Sequence, residues 1–234
     1  MSELRPWELK RPASATAVDS LARGGMVLGL GTGNAANYAV DRIAEMAAAG
    51  ASFECVASSV ATEGYARSRG LDVVDIDSVD RVDVTFDGAD EVDPELNMVK
   101  GLGGALLREK ILASVSDVEA IIVDDMKLVS HLGTRAPLPV EICRYGHSRT
   151  VERLRALGCK PALRMGGGGV FVTDGGNLIC DCLFGGISDP EGMQSEIDRI
   201  PGVVECGLFV GMADSVFVFH PDGARVERID RIRD

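Results

Sequence analysis

Asp87, Asp90, Lys100 and Glu109 fall within one short stretch of the chain. It reads Asp87-Gly88-Ala89-Asp90-Glu91-Val92-Asp93, then Lys100-Gly101-Leu102-Gly103-Gly104, then Arg108-Glu109-Lys110. Two acids three residues apart, an ammonium and a further carboxylate are the groups needed to move protons on a small polar ligand and to steady an oxyanion. Carboxylates held close together split their pKa values, so one of the pair can carry a proton near neutral pH. Asp93 precedes Pro94, which suits a turn, and it is left out of the site. Each residue alone also has a plain reading. The acids could cap a helix from a solvated loop, and Lys100 and Glu109 could be surface charges. Their joint occurrence is what points to chemistry.

The elements around them support that reading. Val82-Asp83-Val84-Thr85-Phe86 reads as a buried strand, so Asp87 stands at its carboxyl end, where open α/β sheets bind their ligands. Ala105 to Val115 reads as a helix that starts in the glycine turn after Lys100. Upstream, the pattern gives a helix over 13–22, a strand at 26–30 and an alanine-rich helix over 35–49. A strand at 53–57, a short helix over 62–69 and a strand at 71–74 follow. Downstream comes a strand at 120–123. Strands alternating with helices predict a mostly parallel, doubly wound sheet.

After residue 130 the rhythm changes. A strand at 140–142, a helix over 149–157, strands at 160–165 and 178–182, a helix over 190–200 and a strand at 203–209 give the order βαββαβ. That is the split βαβ, or ferredoxin-like, pattern. Strands at 215–219 and 224–229 are expected to return to the first sheet. The expected division is therefore residues 1–132 with 208–234 as one domain and 133–207 as a second α+β domain.

Gly29-Leu30-Gly31-Thr32-Gly33-Asn34 lies between a strand and a helix. The dinucleotide fingerprint fails because position 34 is Asn. A plain tight turn and a cradle for a single phosphate at the helix N-terminus both stay open. Lys127 follows the strand at 120–123, at a carboxyl end again, with a surface loop as its alternative. Ser58-Ser59 either lines the cleft or caps a helix. The quartet Gly166-Gly167-Gly168-Gly169 reads as a hairpin loop between two strands.

The 234 residues include 46% hydrophobic and 26% charged, enough for one large or two modest domains. A net charge of −12 argues against nucleic acid or an anionic membrane as partner. Six cysteines at irregular spacing read as buried thiols of a reducing cytoplasm. Three scattered histidines add no ligand cluster, so no metal is expected. Met1 to Trp7 lacks the layout of a signal peptide, and no apolar run is long enough to span a membrane.

At these motifs the chain resembles ribose-5-phosphate isomerase, type A. The resemblance is carried by Gly29-Leu30-Gly31-Thr32-Gly33, Asp87-Gly88-Ala89-Asp90-Glu91, and Lys100-Gly101 with Gly103-Gly104-Ala105-Leu106. Arg108-Glu109-Lys110-Ile111, Lys127, Pro137-Leu138-Pro139-Val140-Glu141 and Thr173-Asp174-Gly175-Gly176-Asn177 continue it. The resemblance implies a Rossmann-like domain with a ferredoxin-like insert, interconversion of ribose 5-phosphate and ribulose 5-phosphate without cofactor or metal, and a homodimer or dimer of dimers. By the same resemblance Glu109 is the base that moves a proton between C1 and C2. Asp87 and Asp90 open the furanose, and Lys100 steadies the enediolate. Thr32, Gly33, Asn34, Ala35 and Lys127 hold the phosphate. Gly88, Ala89, Gly101, Leu102 and Gly103 complete the substrate-binding loops. The family usually shows Ser-Thr where this chain has Asn34-Ala35, often Ser at Met126, and a glycine run interrupted here by Leu102; some relatives carry a lysine at the position of Arg11. Two other readings compete: a non-catalytic sugar-phosphate sensor on the same fold, and a nucleotide-dependent oxidoreductase, which the failed fingerprint disfavours.

Overall fold

The computed structural model describes residues 10–232. The stretch Met1 to Trp7, read above for a leader, lies outside them. In chain order the elements are α1 (Arg11–Leu21), β1 (Val27–Leu30), α2 (Asn34–Ala48), β2 (Glu54–Ala57), α3 (Val60–Ser68), β3 (Asp72–Val73), β4 (Val82–Gly88), β5 (Glu91–Val92), β6 (Met98–Val99), α4 (Leu106–Ser114) and β7 (Ser116–Asp124). Then come β8 (Leu138–Ile142), α5 (His147–Ala156), β9 (Lys160–Leu163), β10 (Met165–Gly166), β11 (Gly169–Val170), β12 (Leu178–Leu183), α6 (Pro190–Asp198), β13 (Val203–Cys206), β14 (Leu208–Phe209), β15 (Ser215–His220) and β16 (Arg225–Asp230). No helix among the described residues is long and apolar enough to cross a membrane.

The chain forms two compact units. Met1–Ala89, Arg108–Lys127 and Met212–Asp234 make the first; Asp90–Leu107 and Leu128–Gly211 make the second. The first unit is built on a seven-stranded sheet of order β16-β15-β7-β4-β1-β2-β3. Its neighbours are parallel except for the β15–β16 pair. The apolar runs that made β1, β4, β7 and β15 legible are buried because helices cover a parallel sheet. Ala13, Ala17 and Val18 of α1 and Ala39, Val40 and Ile43 of α2 meet Leu28, Phe86, Ile122 and Phe217 in one core.

The second unit carries a four-stranded sheet of order β13-β8-β12-β9, antiparallel throughout. That order, with α5 and α6 between its strands, is the ferredoxin-like arrangement expected from the βαββαβ pattern. Leu138, Val140, Leu154, Cys180, Ile197 and Cys206 share its core. A three-stranded sheet of order β14-β6-β5 belongs to the same unit. The expected strand over 203–209 is thus two strands. It breaks at Gly207, whose N–H donates to Pro139 O (2.8 Å) while its carbonyl accepts from Lys100 N (2.9 Å). A Cβ there would stand 2.3 Å from Lys100 O, so only glycine lets the chain pass from one sheet to the other. The glycine quartet is the expected hairpin. Gly167 and Gly168 turn with φ of 58° and 92°, between paired β10 and β11.

Candidate active site

In the first unit, Asp87 is the penultimate residue of β4 and is almost wholly buried. Its Oδ1 accepts from the N–H groups of Gly88 (2.7 Å) and Thr32 (3.1 Å). The carboxylate therefore knits the end of β4 to the glycine turn after β1. Gly29, within β1, and Gly31, in that turn, serve packing. A Cβ on Gly29 would lie 1.8 Å from Thr85 Oγ1, and one on Gly31 2.0 Å from Asp87 Cγ.

Thr32 is anchored on its other side by hydroxyls. Its Oγ1 lies 2.8 Å from Ser58 Oγ and donates to Ser59 Oγ (3.0 Å), while Thr62 Oγ1 donates to Gly31 O (2.9 Å). Ser59 caps α3 by accepting from Thr62 N (3.1 Å). Ser58 and Ser59 thus brace the turn, Ser59 also capping a helix, and Thr62 was not singled out by the sequence. Gly33, at φ 108°, begins α2 with no side-chain cap on its first turn. Asn34 is exposed and Ala35 buried at that N-terminus. Because Thr32 N–H is committed to Asp87, an anion there meets the amides beyond it, aided by the helix dipole.

Glu109 lies in the first turn of α4, 4% exposed. Lys127 ends a short 3₁₀ turn directly after β7 and is half-buried; Met126 beside it is exposed. Arg11 does not serve this end of the sheet. Its guanidinium stacks 4.7 Å over Tyr38 and pairs with Asp41 at 3.8 Å, both on α2. Lys10, one residue earlier, lies near the end of β7, 3.7 Å from Asp124 Oδ2.

In the second unit, Asp90 accepts from Leu102 N through Oδ2 (3.0 Å), and its own N–H donates to Val99 O (2.8 Å). The acid thus holds the lysine loop by its exposed tip. Lys100 is 2% exposed, with Nζ 5.3 Å from the centre of the Phe209 ring. Burying an ammonium is costly, and an aromatic face offsets part of that cost. Gly101 and Gly104 turn the loop with φ of 108° and 87°, and Gly104 N donates to Gly101 O (3.0 Å). Gly88 and Ala89 link Asp87 to Asp90, and Leu102 and Gly103 are exposed at the loop tip.

The other motif residues brace further loops of the second unit. Glu91, fully buried, accepts from the N–H groups of Gly133 (2.5 Å), Arg135 (2.6 Å) and Ala136 (2.7 Å). Glu141 accepts from Thr173 Oγ1 and Asn177 Nδ2, each at 2.9 Å. Asp93 closes a turn on the amides of Glu95 and Asn97, the plain role expected of it.

The sequence matches the ribose 5-phosphate isomerase A (phosphoriboisomerase A) family over residues 54–223. The chain belongs to the ribose 5-phosphate isomerase A family. A relative named ribose-5-phosphate isomerase A from Gloeobacter violaceus is 48% identical over 219 residues, 93% of this chain and 95% of its own. One from Gluconobacter oxydans is 46% identical over 218 residues, 92% and 94% of the two chains. The ribose 5-phosphate isomerase structure from Plasmodium falciparum superposes with a TM-score of 0.93 at 33% identity, covering 97% of this chain and all of that one. A D-ribose-5-phosphate isomerase solved in complex with phospho-erythronic acid gives 0.92 at 35% identity, with the same coverage. Isomerase A members are named as enzymes, and nothing in these likenesses favours the sensor.

One further group has metal-ligating chemistry. Asp198, Glu205 and Cys206 of the second unit bring their donor atoms within 4.8 Å of one another. Sequence spacing hid this trio, because α6 and β13 supply it from different elements. Glu205 Oε1 accepts from Cys206 N (2.8 Å).

Proposed function

We propose that this chain interconverts D-ribose 5-phosphate and D-ribulose 5-phosphate by proton transfer through an enediolate, a step of the non-oxidative pentose phosphate pathway. The observation that carries the reading is burial. Asp87, Lys100 and Glu109 are 1%, 2% and 4% exposed, within a chain of this family. Charged side chains are seldom withdrawn so far unless paired or held for a task, and in a member of this family these three are the groups suited to the proton transfers below.

Each group has a task. Ring opening takes a proton from the anomeric hydroxyl and gives one to the ring oxygen, and Asp87 and Asp90 exchange those protons. Glu109 then lifts the proton from C2. The electron pair left behind becomes the C1–C2 double bond, and the carbonyl oxygen takes the negative charge beside Lys100. Glu109 returns the proton to C1 while the C2 hydroxyl proton passes to O1. No electrons leave the sugar, so no redox cofactor is required. The amides of Gly33, Asn34 and Ala35 with Lys127 hold the phosphate, and Thr32 keeps that turn in shape. Gly88, Ala89, Gly101, Leu102 and Gly103 form the surrounding walls. A relative's capture of phospho-erythronic acid supports this scheme, because a planar carboxylate resembles an enediolate in shape and charge.

The test is turnover of ribose 5-phosphate with a chelator present and no cofactor added. Wild type should be active, and Glu109→Gln should lower kcat by about 10²–10⁴, the usual worth of a general base. Near-normal turnover by Glu109→Gln removes it from the role, and loss of wild-type activity to the chelator overturns the metal-free scheme. We further place the protein in the cytoplasm as a homodimer or dimer of dimers. Light scattering on the purified protein would sink the assembly if it returned the monomer's mass at micromolar concentration.

A further inference from the structure

The glycine quartet and the residues flanking it took no part in the scheme above, yet they reach the lysine loop. Arg164, between β9 and β10, uses its guanidinium on two sides. Nε donates to Asp181 Oδ2 (3.0 Å) and Nη2 to Asp181 Oδ1. Nη1 donates to Gly101 O (2.9 Å) and Leu102 O (3.0 Å). The arginine and aspartate side chains are 13% and 23% exposed, so the pair is largely shielded from water. A planar fork can bind a carboxylate with one edge and two carbonyls with the remaining nitrogen, which a lysine cannot do.

The hairpin adds a second brace. Gly167 and Gly168 reverse the chain, and Phe171 N donates to Arg164 O (2.8 Å). The Phe171 ring then lies so close to the loop that a Cβ on Gly104 would stand 2.5 Å from its Cζ. The lysine loop is thus held at Gly101 and Leu102 by the guanidinium and at Gly104 by the ring. Asp90 holds Leu102 by its amide, so the loop has acceptors and a donor tied on both of its edges.

We infer that Arg164, locked by Asp181, is a positioning residue for the isomerase reaction, acting by fixing the backbone that carries Lys100. This rests on the reading that Lys100 works in that reaction. Arg164→Met should lower kcat by about 10–100-fold, the order of loss that a misplacement of about 1 Å brings. KM for ribose 5-phosphate should stay within about twofold, since binding of the ground state is little affected. Arg164→Lys should fall between wild type and Arg164→Met.

The deciding measurement is a double-mutant cycle with Lys100→Ala, with thermal melts run on every variant. In the Lys100→Ala background Arg164→Met should cost no further activity, because the loop has nothing left to position. An equal fractional loss in both backgrounds, or wild-type kcat in Arg164→Met, overturns the proposal and leaves the site reading intact. Wild-type turnover by Lys100→Ala overturns the site reading itself, and the proposal with it. If Arg164→Met fails to fold, Asp181→Asn enters the same cycle, since it frees the guanidinium from the opposite side and is judged by the same outcomes.

Discussion

A methyl group on Gly31 would stand 2.0 Å from Asp87 Cγ, a contact that neither a β-strand end nor a twice-bonded carboxylate can relieve cheaply. Gly31→Ala should therefore displace Asp87, lower kcat, and cost about 1–3 kcal/mol of stability by overpacking. Gly64, inside α3 with nothing within 4 Å of its added Cβ, is the matched control. Gly64→Ala should leave turnover alone and stabilise by about 0.5–1 kcal/mol, the helix preference of alanine over glycine. Urea denaturation and steady-state kinetics on the two variants check both halves. An active, stable Gly31→Ala would show that the turn has slack the geometry denies. At this scale the sequence made the acids, the lysine and the glutamate legible because their types and spacing are chemical. It left the purpose of Gly29 and Gly31 open, because Thr85 and Asp87 meet them only through the pairing of β4 with β1. Thr62 and Arg164 were missed for the same reason. A hydroxyl and a guanidinium look ordinary until the fold brings Gly31, Gly101 and Leu102 to them.

Helix α3 starts on Ser59, and the same hydroxyl group meets Thr32 and Thr62. Ser59→Ala removes the cap and should cost about 1 kcal/mol. Because Thr32 loses one of its two serine partners, KM for ribose 5-phosphate should rise as well. A fall in melting temperature with KM unchanged would show that the cap and the turn are uncoupled. Among the elements, the long apolar runs were legible as strands and the alternating order gave both sheets. The two-residue strands β3, β5, β6, β10, β11 and β14 are shorter than any period that apolar spacing can reveal. β3 is legible because a helix stop at Gly70 frames it, and β14 only as the end of the expected strand over 203–209. Glu91-Val92 and Met98-Val99 carry no strand signal of their own, since their pairing depends on partners at each other and at β14.

Five of the six cysteines, Cys55, Cys159, Cys180, Cys182 and Cys206, are buried, and all six are free thiols. Burial, with the Asp72 charge adding to it, pushes the Cys55 thiol up to about 12. Hydrogen bonds with Cys159 and Cys180, together with burial, raise the Cys182 thiol, while the hydrogen bond with Cys182 lowers Cys159. Reactivity follows the thiolate and its access. Alkylation of the native protein at pH 8 should therefore modify Cys143 alone, and all six should react once the chain is unfolded. Peptide mass mapping before and after unfolding decides this; early labelling of Cys55 or Cys180 would mean the cores open readily. The sheet order carries a consequence for how the molecule is made. β7 lies between β4 and β15, and its partners on the β15 side run from Ser215 to Phe219. All of Leu128–Gly211 leaves the ribosome in between. At about 5–20 residues per second, the nascent chain spends several seconds with the longest strand of its first sheet unpaired along one edge. That interval is a window for misassociation between neighbouring chains on a polysome, and a reason for a chaperone to attend this protein during synthesis and not after it.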